Sequence, residues 1–214
     1  MILQRFTVGP FAENAYLVGD APRIAIVDPG GESDRIGEFI EEKGWKPERI
    51  LLTHGHLDHI AHVAPLAERY GIGCWIHRDD RGLLEAQQFP ELVEAVDARP
   101  CPDPEGFLED GEIHETAGLR LRVLHTPGHT PGGVCFFHEE SRSALVGDTI
   151  FHRGIGRTDL PGGDMATLAD SIRNRLFVQE GEWELWPGHG PATRLSDERR
   201  ENPFFGSAAR FTRV

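Results

Sequence analysis

The first fifty residues alternate short apolar runs with polar punctuation. Ala15 to Val18 and Ile24 to Val27 read as β-strands, set off by Gly9-Pro10 and Pro29-Gly30-Gly31. The period then lengthens to that of a helix, with Ile36, Phe39 and Ile40 forming one apolar stripe. Ser33 stands where a helix cap is expected, Lys43 falls in the last turn and Gly44 stops it. Ile50-Leu51-Leu52 follows as a buried strand. Ile60, Val63, Leu66, Ala67 and Tyr70 return to helical spacing and end at Gly71, with Pro65 marking where the regular helix begins.

Between residues 79 and 104 the rhythm thins. One short helix is predicted around Arg81 to Gln87, and Pro100, Pro102 and Pro104 then suit a mobile flap near a site. Strand rhythm resumes at Leu119 to Leu124, Val134 to Phe137, Ala144 to Val146 and Trp183 to Trp186. A later helix is capped by Asp164 and presents Met165, Leu168, Ile172 and Leu176 on one face. Strands followed by helices thus recur in each half, with no low-complexity tract or short-period repeat.

Composition narrows the possibilities. A chain of 214 residues suits one well-buried domain, 1–214. A net charge of −13, spread along the chain, would repel a phosphate backbone, so no nucleic-acid partner is expected. The amino terminus lacks an apolar core followed by a cleavage site, and no stretch approaches a membrane span. The expectation is a soluble cytoplasmic protein with no membrane partner. Cys74, Cys101 and Cys135 are isolated and odd in number, so neither a disulfide framework nor a thiolate zinc site is suggested.

The chemistry concentrates in Thr53-His54-Gly55-His56-Leu57-Asp58-His59, directly after a strand. Residues two apart in an extended segment face the same way, so His54 and His56 can grip one ion, with Asp58 and His59 turning toward a neighbouring one. Imidazoles with a carboxylate suit a hydrolytic metal centre. Three further candidates sit in turns after strand-like runs: His129 in Thr126-Pro127-Gly128-His129-Thr130, Asp148 in Val146-Gly147-Asp148-Thr149, and His189 in Pro187-Gly188-His189-Gly190-Pro191. With 11 histidines some coincidences are expected, so His62, His77, His114, His125, His138 and His152 read as surface or hydrogen-bonded side chains. Asp28, in Val27-Asp28-Pro29-Gly30, suits either an ordinary turn or a carboxylate that orients metal ligands from behind.

These ordered motifs resemble the metallo-β-lactamase superfamily, whose pattern runs His-x-His-x-Asp-His, then His, Asp and His. Gly147-Asp148-Thr149-Ile150-Phe151, Gly154-Ile155-Gly156-Arg157-Thr158-Asp159 and Glu201-Asn202-Pro203-Phe204 look most similar to the short glyoxalase II-type (hydroxyacylglutathione hydrolase-like) thioesterases. The resemblance implies an α+β fold, the four-layer αββα sandwich, lacking the helical carboxyl-terminal domain of longer glyoxalases. It implies that His54, His56 and His129 hold one divalent ion, Asp58, His59 and His189 a second, and that Asp148 bridges them. Zinc is the first expectation, with iron or manganese also suited to such ligands. Arg157 would contact the carboxylate-bearing part of a glutathione substrate or form a structural salt bridge. Asp159 stands where the longer enzymes carry a tyrosine.

The implied reaction is hydrolysis of a small-molecule thioester of the S-lactoylglutathione type by metal-bound hydroxide, with Asp58 or Asp148 orienting the nucleophile and accepting its proton. A thiolate, with a pKa of about 8.5, departs without a strong acid. Arg153-Gly154-Ile155-Gly156-Arg157-Thr158-Asp159 is also similar to the persulfide dioxygenase branch, where one iron would use His54, His129 and Asp148. A ribonuclease of the same fold is disfavoured by the acidic charge, and a lactonase is a lesser alternative. The sequence implies no particular oligomeric state.

Overall fold

The computed structural model describes residues 1–85, 93, 94 and 96–209. In the first half, β1 (Ile2–Val8), β2 (Glu13–Asp20) and β3 (Arg23–Val27) pair antiparallel. After α1 (Ser33–Lys43), β4 (Lys46–Leu51) lies parallel to β3. Two short helices, α2 (Leu57–Ile60) and α3 (Val63–Tyr70), lead to β5 (Cys74–His77), a 3-10 turn (Arg78–Asp80) and α4 (Arg81–Glu85). With β6 (Gly106–Leu108), these strands make a six-stranded sheet in sequential order.

The second half begins with β7 (Ile113–Thr116), β8 (Leu119–His125), β9 (Val134–His138) and β10 (Ser143–Gly147), all antiparallel. A separate hairpin, β11 (Ile150–Phe151) with β12 (Gly154–Ile155), precedes α5 (Met165–Asp170), which runs on into a π-helical turn at Ser171–Leu176. β13 (Glu184–Pro187) lies parallel to β10 and pairs with β14 (Thr193–Arg194), after which α6 (Leu195–Glu201) is the last regular element among the described residues.

Strand periodicity explains the layering. Ala15 and Leu17 on β2 and Ile24 and Ile26 on β3 share a core with Ile36, Ile40, Val63 and Leu66 from the helices. The alternate residues Tyr16, Val18, Ala25 and Val27 meet Leu119, Leu121, Val123, Val134 and Phe136 of the other sheet. That sheet's far face, with Cys135, Phe137, Ala144 and Val146, buries Leu168, Ile172, Leu176 and Leu195. Three apolar layers therefore separate four layers of structure, giving the αββα sandwich expected. Central strands apolar on both faces follow directly from this burial.

Local signals fare unevenly. Gly44 and Gly71 both adopt left-handed φ values, 66° and 65°, and end their helices as the sequence predicts. Asp164 accepts from the Thr167 amide at 2.7 Å as the expected cap. Ser33 is different. Glu32, at φ 52°, is the residue before the first turn and Ser33 is already helical, its hydroxyl 2.9 Å from His62 Nδ1. Tertiary contact with His62 displaces the capping role. The helix from Arg81 is described as far as Glu85, and Ala86 and Gln87 lie outside the described residues.

The expected flap over 79–104 falls partly outside the described residues. Within them, Val96 is buried and the Arg99 amide bonds to the Ala61 carbonyl at 3.3 Å. No described helix is long and apolar enough to cross a membrane. The ends of β3, β4, β10 and β13 deliver Asp28, Thr53, Asp148 and Gly188 to a single rim, where Asp28 and Thr53 bond directly and Gly188 binds Gly147.

Candidate metal centre

Seven side chains singled out in the sequence converge at this rim. His54 and His56 come from the loop after β4, and Asp58 and His59 from α2. His129 hangs from the loop after β8, Asp148 follows β10 directly, and His189 lies in the turn after β13. His54, His56 and His129 form one group whose ligating atoms all lie within 4.8 Å, and Asp58, His59 and His189 form another.

Asp148 stands between the groups. Its Oδ1 is 3.4 Å from His59 Nε2, while its Oδ2 is 3.5 Å from His129 Nε2 and 3.6 Å from His189 Nε2. Asp58 Oδ2 lies 3.2 Å from His189 Nε2. A carboxylate so placed between two donor sets can bridge two ions.

Outer partners fix the imidazole tautomers. A carboxylate or carbonyl oxygen can only accept, so His59 Nδ1 donates to Asp28 at 3.1 Å, His129 Nδ1 to the Arg157 carbonyl at 2.7 Å, and His189 Nδ1 to the Phe11 carbonyl at 3.1 Å. Thr53 Oγ1 gives its proton to Asp28 at 2.5 Å, which leaves it to accept from His54 Nδ1 at 3.1 Å. In all four rings the Nε2 lone pair is thereby presented to the centre. Such outer bonding is the usual arrangement behind metal-ligating histidines.

The inner atoms lack ordinary partners. His54 Nε2, His59 Nε2 and Asp148 Oδ1 are buried without a hydrogen bond, and His56 Nδ1 faces His129 Nε2 at 2.9 Å. Buried polar atoms are normally satisfied, so a cluster of unsatisfied lone pairs aimed at one space fits divalent cations. Burial, reinforced by the neighbouring rings, holds His54 well below the usual imidazole range, and brings His56 down to about 3. Burial opposes charge on His59 too, but Asp148, Asp58 and Asp28 outweigh it and raise this ring well above 6.5. His189 is raised against its burial by Asp58 and Asp148, and Asp58 is lowered against its burial chiefly by His59.

Arg157 also reaches the rim. It lines a cavity of about 520 Å3 with Phe11, Leu57, Phe151, Ile155 and Leu160, but its exposed guanidinium is bound bidentately by Asp159, both contacts at 2.7 Å. The remaining histidines largely follow the bland expectation. His62 is held by Ser33 and the Val96 carbonyl, His114 by Arg49 and Glu112, His138 by Ser141, and His152 is exposed near Thr193.

Several supporting residues carry no signal in the sequence. Asp80, fully buried, accepts from the Gly55 amide at 3.0 Å, Thr130 Oγ1 at 2.7 Å and the Gly132 amide at 2.5 Å, tying the two loops that bear His56 and His129. Asn14 and Tyr16 both donate to the Pro187 carbonyl, at 3.0 and 2.7 Å, and steady the turn of His189. Glu13 is buried with neither carboxylate oxygen hydrogen-bonded; its Oε1 is 3.7 Å from His59 Nδ1, and burial pushes its carboxyl well above the usual range. Only Asp28 could be suspected, from the Asp-Pro-Gly turn beside a metal motif.

The chain's relationships agree with this geometry. Residues 8–191 match the family model described as the metallo-beta-lactamase superfamily. Hydroxyacylglutathione hydrolase GloC of Haemophilus influenzae is 37% identical, covering 97% of this chain and 99% of that protein. Among solved structures, TTHA1623 in a di-iron-bound form is 38% identical with a TM-score of 0.86, over 94% of this chain and 100% of that one. The BLEG-1 B3 metallo-beta-lactamase superposes with a TM-score of 0.87 at 30% identity, over 95% and 99%.

Proposed function

The chain belongs to the metallo-beta-lactamase superfamily, and from that premise we propose that it is a binuclear metal-dependent hydrolase of thioesters of the S-lactoylglutathione type. The observation that carries the reading is the pair of three-residue donor groups joined by Asp148, with Asp58 and His189 completing the second group. The name of the Haemophilus influenzae relative and the di-iron form of TTHA1623 lend support to substrate class and ion number.

Two bound divalent ions supply Lewis acidity, polarising a carbonyl and lowering the pKa of water from 15.7 toward about 7. The protein's part is positional. Arg157 is the sole permanently charged cation among the described residues lining the cavity, and a substrate carboxylate can compete with Asp159 for its planar fork. Phe11, Leu57, Phe151, Ile155 and Leu160 shield the acyl group from water. Asp58 faces the cavity, where its carboxylate would orient the attacking water.

Apart from the candidate ligands, no described residue of the cavity can act as a general acid, since Arg157 does not give up its proton. That suits a leaving group as stable as a thiolate, with a pKa of about 8.5, better than an amine or an alkoxide. A one-iron dioxygenase built on His54, His129 and Asp148 would leave Asp58 and His189 without a role, which favours the hydrolase.

The test is metal analysis of natively purified protein, together with turnover of S-lactoylglutathione and oxygen uptake with glutathione persulfide. About two ions per chain and thioester cleavage without oxygen consumption are expected. One iron per chain with persulfide-dependent oxygen uptake would overturn the reading.

A further inference from the structure

The cavity beside the candidate metal centre has two unlike ends. Arg157 stands with His56 and His129: its carbonyl accepts from His129 Nδ1 at 2.7 Å, and its charge joins burial and the neighbouring rings in lowering the His56 pKa. Two phenylalanines stand with His189. The Phe11 carbonyl accepts from His189 Nδ1 at 3.1 Å, and the Phe151 ring lies perpendicular to the His189 ring with centroids 5.9 Å apart. The loop that carries Phe11 is tied to the His189 turn, because the Asn14 amide bonds to the Gly188 carbonyl at 2.7 Å.

Phe11 keeps 43% of its surface exposed, and Phe151, Ile155 and Leu160 are only half-buried. All four line the same cavity, and Phe151 and Ile155 belong to one hairpin, β11 with β12. Apolar surface left open at a concave site marks a place for an apolar ligand group. The only polar side chains among the described lining residues are Arg157 and five candidate metal ligands. None is left over to pair with a polar group borne on an acyl chain, and a polar group buried without a partner weakens binding. Methylenes gain from each apolar contact instead.

On the hydrolase reading above, we propose that Phe11 and Phe151 form an acyl subsite beside His189, which makes this enzyme prefer thioesters with extended apolar acyl chains to short ones. The carboxylate-bearing thiol carrier lies toward Arg157. Water adds at the carbonyl carbon, the carbon–sulfur bond breaks, and the sulfur leaves with the electron pair and takes up the proton lost by water, giving a carboxylic acid and a thiol. Phe11 is the specificity-determining residue, since its side chain lines the cavity while its carbonyl holds His189.

The metal-loaded enzyme is assayed with S-acetyl-, S-lactoyl-, S-butyryl- and S-hexanoylglutathione, and its binding of the uncleavable thioethers S-methyl- and S-hexylglutathione is measured by calorimetry. Straight-chain acyl groups differ little in intrinsic reactivity, so kcat/KM from acetyl to hexanoyl should rise about two- to fourfold per methylene. S-hexylglutathione should bind at least about tenfold more tightly than S-methylglutathione. Phe11→Ala should cut both ratios about fivefold and Phe11→Leu should largely restore them, whereas Arg157→Ala should lower every kcat/KM alike. Ratios within one variant cancel any general damage at His189, and the wild-type series stands without a variant. A flat chain-length profile in either measurement, or ratios unchanged in Phe11→Ala, would overturn the subsite while leaving thioester hydrolysis intact. Cleavage of no thioester would overturn the hydrolase reading, and the calorimetric ratio then decides the subsite alone.

Discussion

His59 donates from Nδ1 to Asp28 Oδ2 across 3.1 Å, and Asp28 meets that ring from a backbone held at φ +48°. The same carboxylate accepts from the Thr53 amide at 2.7 Å and from Thr53 Oγ1 at 2.5 Å, and through Thr53 it sets His54. One buried aspartate therefore orients a ring in each donor group. Replacing it should disturb both ions without removing a ligand.

Asp28→Asn keeps the shape of the side chain but puts an amide where donors converge. Metal affinity should fall about 10- to 100-fold, the usual cost of losing an outer partner of a ligating histidine. Chelator competition measures this directly. Wild-type affinity in a folded Asp28→Asn protein would remove Asp28 from the site.

The two donor groups should release their ions at different pH. His59 and His189 have raised pKa values in the metal-free chain, so an ion must displace protons from them, and its affinity falls as pH drops through those values. His54 and His56 are held low by burial and remain unprotonated there. Stepwise acidification from pH 8 to 5 should free the ion of Asp58, His59 and His189 first. Simultaneous loss of both ions would contradict the assignment.

In the metal-free protein the linkage has two signs. The raised His59 and His189 contribute stability below 6.5 that disappears as pH climbs through their folded values, whereas His54 and His56 cost stability as pH falls below 6.5. Denaturant midpoints of His54→Gln and His189→Gln should therefore depend on pH in opposite directions relative to wild type. Parallel profiles would show that these shifts are not expressed in stability.

Gly188 has no room for a side chain. A Cβ there would press into Asp148 Oδ1 and lie 2.5 Å from His59 Cε1. Gly188→Ala should displace both groups and lower turnover about 100-fold, as a misplacement of roughly 1 Å can do, while far-ultraviolet circular dichroism stays unchanged. Full activity would mean that the turn yields easily.

Arg157→Ala should raise KM for S-lactoylglutathione about tenfold with little change in kcat, because the guanidinium contributes binding alike to substrate and transition state. Asp159→Asn releases Arg157 from its bidentate partner and should lower KM. A loss confined to kcat would assign Arg157 to the chemical step instead.

The sequence by itself marked the central strands, the helices that follow Ser33, Pro65 and Asp164, the apolar alternation that makes three packed layers, and the candidate inner donors, whereas β1, β6, β7, β11, β12, β14 and α6 were not legible in it. Those donors were legible because a short loop and one helical turn confine His54, His56, Asp58 and His59 to a single place, and because His129, Asp148 and His189 each follow a strand end. Only the tertiary structure decided which groups stand behind them. Asp28 reaches Thr53 across 25 residues, Asp80 reaches Thr130 across 50, and Asn14 reaches Pro187 across 173. Hydrogen bonds between segments so distant obey no spacing along the chain, since sheet pairing and layer packing alone bring them within 3.0 Å. The same reason hid the stacking of His77 on His125, one from each sheet, and turned Ser33 from an expected cap into a partner of His62.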